Sequence, residues 1–140
     1  MMRIRKIASS DLRALAKLDA EVFGDTSEKQ ALVVFRDLTK TRISEACLLA
    51  EVDGDIIGAI FTERKITFTT DSAYIGSVFV KKEWQGKGVG KTLMDRCLEA
   101  LKKKGVKNVS LTVAPKNRAA ILLYKKYGFK LHRLLLLKRF

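Results

Sequence analysis

The segment Gln85-Gly86-Lys87-Gly88-Val89-Gly90-Lys91 holds the residue types and spacing in this 140-residue chain that could do chemistry. Three alternate glycines allow a tight turn and remove the Cβ atoms that would keep a ligand from the backbone. A β-rich run over residues 73–81 leads into the segment, and a helical pattern from 88 to 104 leaves it. At such a helix start, unpaired N–H groups and the helix dipole face an anion. Lys87 and Lys91 add positive charge at the same mouth. Strand, glycine loop and helix together describe a phosphate site, although the same spacing also suits a turn that binds nothing.

Two common phosphate loops fail on spacing. A Walker loop ends as Gly90-Lys91-Thr92 does here, but the position of its first glycine holds Gln85. A dinucleotide fingerprint needs G-x-G-x-x-G, and Gly86, Gly88 and Gly90 form G-x-G-x-G. The form that fits is Q-x-x-G-x-G, through Gln85, Gly88 and Gly90. Downstream, Asn117, Ala120, Tyr124 and Gly128-Phe129 make a second block, N-x-x-A-x-x-x-Y-x-x-x-G-F. Asn117 is placed to cap a helix. Tyr124 shares a helical face with Ala120, Ile121 and Tyr127, so its ring suits a core. Its phenol, with a pKa near 10, equally suits a general acid.

The elements that would position these residues can be read from periodicity. Residues 2–7 alternate as a strand. Ser10-Asp11 opens a helix with an inward stripe of Leu12, Leu15, Leu18 and Val22, ending near Gly24. Thr26-Ser27 opens a second helix to about Leu38, with Ala31, Val34, Phe35 and Leu38 inward. Strands over 47–52 and 56–62 are joined by Asp53-Gly54, a two-residue hairpin signal. The helix after the glycine loop has Val89, Leu93, Met94, Cys97 and Leu101 on one side. A strand over 106–113, a short helix over 118–127 and a leucine-rich β-like tail over 129–140 complete the chain. The reading is α/β, built on a mixed sheet, with a single domain over 1–140.

With both blocks in place, the sequence resembles the GCN5-related N-acetyltransferase (GNAT) family along nearly its whole length. The resemblance implies a mixed, mostly antiparallel sheet of six to seven strands, flanked by four helices and splayed between strands 4 and 5. It implies acetyl-CoA as the donor and a primary amine as the acceptor, reached by direct attack. Val78, Phe79 and Val80 would hold the pantetheine arm by strand-like hydrogen bonds, the Val80 N–H donating to the thioester carbonyl. Gln85, Gly86, Lys87, Gly88, Val89, Gly90 and Lys91 would cradle the diphosphate. Asn117 would bond the cofactor arm, and the Tyr124 hydroxyl would protonate the departing thiolate.

The general base does not carry over. Thr112 and Tyr74 occupy the positions where relatives keep a glutamate. A proton leaving the amine would therefore pass through water to Asp71, Glu63 or bulk solvent, and no single carboxylate is expected to be essential. The acceptor is expected near the first two helices, where Asp19, Glu21, Asp25 and Glu28 would attract a cationic amine. A protein or peptide N-terminus or a lysine fits this reading. The alternatives are a small-molecule amine acetyltransferase and a non-catalytic CoA-binding regulatory module.

Bulk properties bound the remainder. Net charge is +13, and it is uneven: residues 1–75 carry 11 Lys/Arg against 12 Asp/Glu, and residues 76–140 carry 17 against 3. That asymmetry turns the C-terminal half toward polyanions, either RNA or a ribosome beyond the CoA itself. No apolar run approaches the roughly 18 residues of a membrane span, so no membrane contact is expected. The two cysteines, Cys47 and Cys97, lie far apart inside apolar segments and read as reduced core thiols of a cytoplasmic protein. His132 is the only histidine, so no metal is expected. The leucine-rich tail is suited to pairing across a homodimer.

Overall fold

A computed structural model describes residues 1–24, 27–38, 46–65 and 70–140. The element order is β1 (Met2–Lys6), α1 (Leu12–Phe23), α2 (Glu28–Leu38), β2 (Leu48–Val52), β3 (Asp55–Arg64), β4 (Ser72–Val80), α3 (Val89–Lys103), β5 (Asn108–Leu111) and α4 (Arg118–Lys126). Among the described residues these form one open five-stranded sheet in the order β1-β2-β3-β4-β5. The first three pairings are antiparallel and β4–β5 is parallel. At the β2–β3 hairpin, Asp53 and Gly54 take φ of 51° and 84°, as a two-residue primed turn requires.

Each sheet face carries its own core. On one face α1 and α2 bury Leu12, Leu15, Ala31 and Phe35 against Leu49, Phe61 and Phe79. Phe35 stacks on Phe61 at 4.0 Å between ring centroids, and it also stacks on Phe79 at 5.9 Å. That stacking sets the rotation of α2. Val34, expected inward, is 51% exposed, and Leu32 packs on the core instead. The expectation for Leu38 concerns a side chain outside the described ones. On the opposite face α3 buries Val89, Leu93, Met94, Cys97 and Leu101, the five positions its periodicity indicates. Both cysteines are buried and unpaired, and burial pushes the Cys97 thiol up to about 12.

Among the described residues the sheet has five strands, not the six to seven expected. The strand expected over 106–113 ends at Leu111, and residues 129–140 form neither strand nor helix. The reason is a missing partner. Four consecutive leucines make a strand that is apolar on both faces, which is stable only when both faces are covered. Leu134, Leu135, Leu136 and Leu137 are 76–89% exposed, so this chain covers neither.

Candidate active site

The strand leading into the glycine loop is shaped by a bulge. Phe61 pairs with Ser77 and Thr62 with Ile75, so Gly76 is an extra residue on β4. A bulge bends its strand and increases the local twist. Pairing with β5 stops at the same point, Ile75 opposite Leu111 being the last pair. β4 therefore runs on through Gly76 to Val80 with β3 on one side and, among the described residues, no strand on the other. This is the splay between strands 4 and 5.

Main-chain groups line the splay. Lys81 N donates to Ile57 O at 2.7 Å, so odd-numbered residues at this end of β4 face β3. The alternation of an antiparallel ladder then turns the N–H groups of Val78 and Val80 outward, into the splay. Phe79 directs its main chain toward β3 and its ring into the aromatic core. The two strands also approach closely here. A Cβ on Gly58 would lie 2.9 Å from the Phe79 carbonyl oxygen, which only glycine avoids.

The loop beyond is fastened by Gln85, whose Nε2 donates to the Val80 carbonyl at 2.9 Å. Gly86 and Gly88 adopt φ of 76° and 84°, the left-handed region that costs a side chain about 1 kcal/mol or more. Gly88 is the N-cap of α3 and no side chain caps the helix. The first turn closes with Thr92 N donating to Gly88 O at 3.0 Å, which leaves the N–H groups of Val89, Gly90 and Lys91 directed out of the helix. A Cβ at Gly86 or Gly88 would meet no heavy atom within 4 Å, so the loop is open at these two glycines. The Lys87 ammonium lies 5.1 Å over the Trp84 ring. Lys91 reaches along α3 to Asp95 at 3.0 Å. The Val89 side chain is buried in the core, leaving only its main chain for a ligand. Open space, free amides and cations suit the diphosphate of a CoA-type molecule.

The second sequence block forms α4. Asn117 caps it, its Oδ1 accepting from Ala120 N at 3.2 Å, which leaves the amide nitrogen unused by the cap. Tyr124 is half-buried against the α3-side core with its ring edge-on to Phe129 at 5.9 Å. Burial raises its pKa, keeping the phenol protonated, and its hydroxyl makes no hydrogen bond among the described residues. Tyr127 does more than pack at a helix end. Its hydroxyl donates to Asp95 Oδ1 at 2.8 Å and reaches Lys91 O at 3.3 Å, tying α4 to the first turns of α3. The spacing of the motif contains no signal for that tie.

On the α1–α2 face, the two positions lacking a glutamate meet. The Tyr74 hydroxyl and Thr112 Oγ1 are 2.9 Å apart, across 38 residues of sequence. Glu63 stands opposite Tyr74 in the β3–β4 register, and directly opposed residues share a face. Lys65 Nζ sits 4.4 Å over the Tyr74 ring. Asp71 lies at the far end, just before β4, with Arg64 at 3.5 Å. Among the acids expected to draw an amine, Glu21 and Glu28 are exposed, while Asp19 is 5% exposed and engaged within the protein. Asp25 lies outside the described residues. Among the described residues no three His, Cys, Asp or Glu gather as a metal site, and no helix is long and apolar enough to cross a membrane.

Comparisons with known proteins agree with this geometry. An uncharacterized N-acetyltransferase of Methanocaldococcus jannaschii is 30% identical over 106 residues, which is 74% of this chain but 46% of that protein. The crystal structure of the ribosomal-protein-S18-alanine N-acetyltransferase from Escherichia coli superposes with a TM-score of 0.77 at 25% identity, over 93% of this chain and 78% of the other. The aminoglycoside N-acetyltransferase AAC(6')-Iy in complex with CoA shares the fold at a TM-score of 0.81 and 16% identity, over 99% of this chain and 94% of that one. The model of the acetyltransferase (GNAT) family matches residues 10–129, so with the β4 splay and the uncapped glycine loop before α3, this chain belongs to the GNAT acetyltransferase family.

Proposed function

We propose that this protein transfers an acetyl group from acetyl-CoA to a primary amine, with a protein or peptide N-terminus or a lysine as the acceptor. The observation that carries the reading is the pairing of an uncapped, glycine-lined helix start with a strand whose outward N–H groups lack a neighbour. One anchors a diphosphate and the other an extended amide-bearing arm. Acetyl-CoA, when bound, supplies a thioester whose carbonyl carbon is the electrophile.

The chain's own groups then have distinct tasks. Gln85 holds the loop on β4 by occupying the Val80 carbonyl, so that Val80 presents its N–H alone. That N–H donates to the thioester oxygen as negative charge builds there, a contact that strengthens toward the transition state. Val78 holds the arm by its main chain, and Phe79 stiffens the strand by its packing. Lys87 and the first-turn amides of α3 hold the diphosphate, and Asn117 bonds the cofactor arm through its amide nitrogen. Tyr124 keeps its proton through burial and gives it to the departing sulfur. The amine attacks in its neutral form and its proton leaves by water. Glu63, beside Tyr74, is better placed to receive it than Asp71, although neither is essential.

A macromolecular acceptor is favoured by the open edge of β5, which no strand covers among the described residues. The net +14 of residues 76–140 exceeds the roughly four negative charges of one CoA. The excess suits an acceptor displayed on or beside RNA, as on a ribosome. The decisive test is a thermal melt with acetyl-CoA or ATP, followed by CoA release with N-terminal peptides, lysine peptides and small amines. Acetyl-CoA should raise the melting temperature where ATP does not, and the peptides should turn over. Stabilisation without turnover on any amine would establish a CoA-binding regulatory module instead. Co-sedimentation with RNA at rising salt tests the docking surface, and no binding at low salt would end that part of the proposal.

A further inference from the structure

The first strand, three places from β4 in the sheet order, has an open edge. Among the described residues β1 pairs with β2 alone. Ile7 N donates to Cys47 O at 3.0 Å, so odd-numbered residues at this end of the sheet face β2. The alternation of an antiparallel ladder turns the main chain of Met2, Ile4 and Lys6 outward. The Lys6 carbonyl is met by its neighbour, Arg5 Nη1, at 3.2 Å. The N–H and C=O of Ile4 and the N–H of Lys6 are left for another strand, for which such an edge is a template.

A groove of about 360 Å³ runs beside that edge, a volume at the low end of ligand clefts. One wall is a single face of α3, Arg96, Glu99, Ala100 and Lys103, whose spacing of three and four residues aligns them. Ile4, Leu48 and Ala100 make an apolar floor, Leu48 buried and the other two partly so. The rim is cationic. Lys6 and Arg96 are exposed and Lys103 reaches back to Glu99 at 3.4 Å, which leaves three cations against one acid. Ile4 and Lys6 share the face of β1 that borders the groove. A strand laid on this edge therefore directs every second side chain into it.

We propose that this edge and groove dock an extended acidic segment of a partner protein, added as a strand to β1. Its main chain pairs with Ile4 and Lys6. Of its alternate side chains, an apolar one covers the floor opposite Ile4, and an acid on either side of it meets Lys6, Arg96 and Lys103. In strand addition the main-chain bonds supply affinity and the pockets for alternate side chains supply specificity. Two strands separate β1 from β4, so the partner and acetyl-CoA can be held together. Other occupants match less of the site. A second copy's β1 sets three cations, Arg3, Arg5 and Lys6, against the same three, and like charges across a ladder are destabilising. RNA or an anionic membrane matches the cations but brings no strand to the edge.

The test is selection of binders to the full chain from a library of hexapeptides with blocked termini and no lysine, none of which can accept an acetyl group. Binders should carry acid, apolar residue and acid at every second position, and their affinity should fall as salt rises. With the tightest peptide bound, amide exchange should slow at Ile4 and Lys6 and change little at Arg5, which is already bonded to β2. Arg96→Ala with Lys103→Ala should weaken binding by at least about 10-fold and leave the acetyl-CoA melting shift unchanged. Lys6→Pro removes one outward N–H without touching the β2 ladder, and it should weaken binding too. Should either variant fail to fold, exchange in the unaltered protein decides. The proposal is overturned if no peptide is selected, if the selected ones are neutral or basic, or if a folded variant binds as the unaltered chain does. It is equally overturned if exchange at Ile4 slows only with RNA, with anionic vesicles, or with protein concentration in the absence of peptide.

Discussion

In the proposed function, the donor side of the site is built from main chain and the acceptor side from side chains. The groups proposed for the donor are N–H groups of Val78, Val80 and the first turn of α3, aimed by a bulge, two left-handed glycines and the Gln85 clamp. On the α1–α2 face the groups are the hydroxyls of Tyr74 and Thr112, with Glu63 opposite. A main-chain cradle tolerates any side chain that preserves the backbone path. A side-chain cluster depends on the identity of each residue, so one fold can keep its donor while its acceptors diverge. Changes on the donor side should therefore reduce binding of acetyl-CoA, and changes on the acceptor side should spare it.

The largest effect is expected from Gly88→Val, which forces a β-branched residue to φ of 84° at the helix N-cap. Calorimetry should show acetyl-CoA affinity falling by about 100-fold or more, with a stability loss of about 1–3 kcal/mol. Wild-type affinity in that variant would contradict a main-chain cradle. Next, Tyr124→Phe should lower kcat by about 100-fold, measured as CoA thiol release, with acetyl-CoA affinity unchanged. Equal loss of affinity would reduce Tyr124 to packing. Smaller again, Tyr74→Phe and Thr112→Val should each raise KM for the amine by roughly 10-fold, the worth of one hydrogen bond, and the double variant should fall short of the product of the two. If acetyl-CoA binding weakened instead, the division into two sides would fail.

The smallest effect concerns the tie between α4 and α3. Burial, and then the Asp95 carboxylate, push the Tyr127 phenol up from 10.0 to about 12. The same hydrogen bond holds Asp95 below the usual carboxylate range, with help from Lys91. A raised folded pKa means the tyrosine's contribution is fully present below pH 10 and is lost as pH rises through about 12. Tyr127→Phe should cost about 1 kcal/mol at neutral pH, and its melting temperature should converge on that of the wild type over that alkaline window. A gap that stayed constant with pH would show that the hydroxyl carries no linked stability.

Much of the local structure was legible in advance. The α3 stripe from Val89 to Leu101, the Asp53-Gly54 turn and the helix cap at Asn117 are local patterns, decided within a few residues by period and turn chemistry. Gly76, a lone glycine inside a strand pattern, was a signal for the bulge that went unused. The rotation of α2 was misjudged because Val34 and Leu32 are both apolar. Only the stacking of Phe35 on Phe61 and Phe79 chooses between them.

By itself, the order of residues determined the glycine turn between β4 and the uncapped start of α3, because glycine spacing and strand alternation are short-range properties of the backbone. Tertiary structure alone decided the rest. It set Tyr74 against Thr112, joined Tyr127 to Asp95, turned Asp19 inward and left the leucine tail without a strand to join. Each of these depends on which distant segment arrives as a neighbour, and a run of leucines becomes a strand only where another edge and another face are there to receive it.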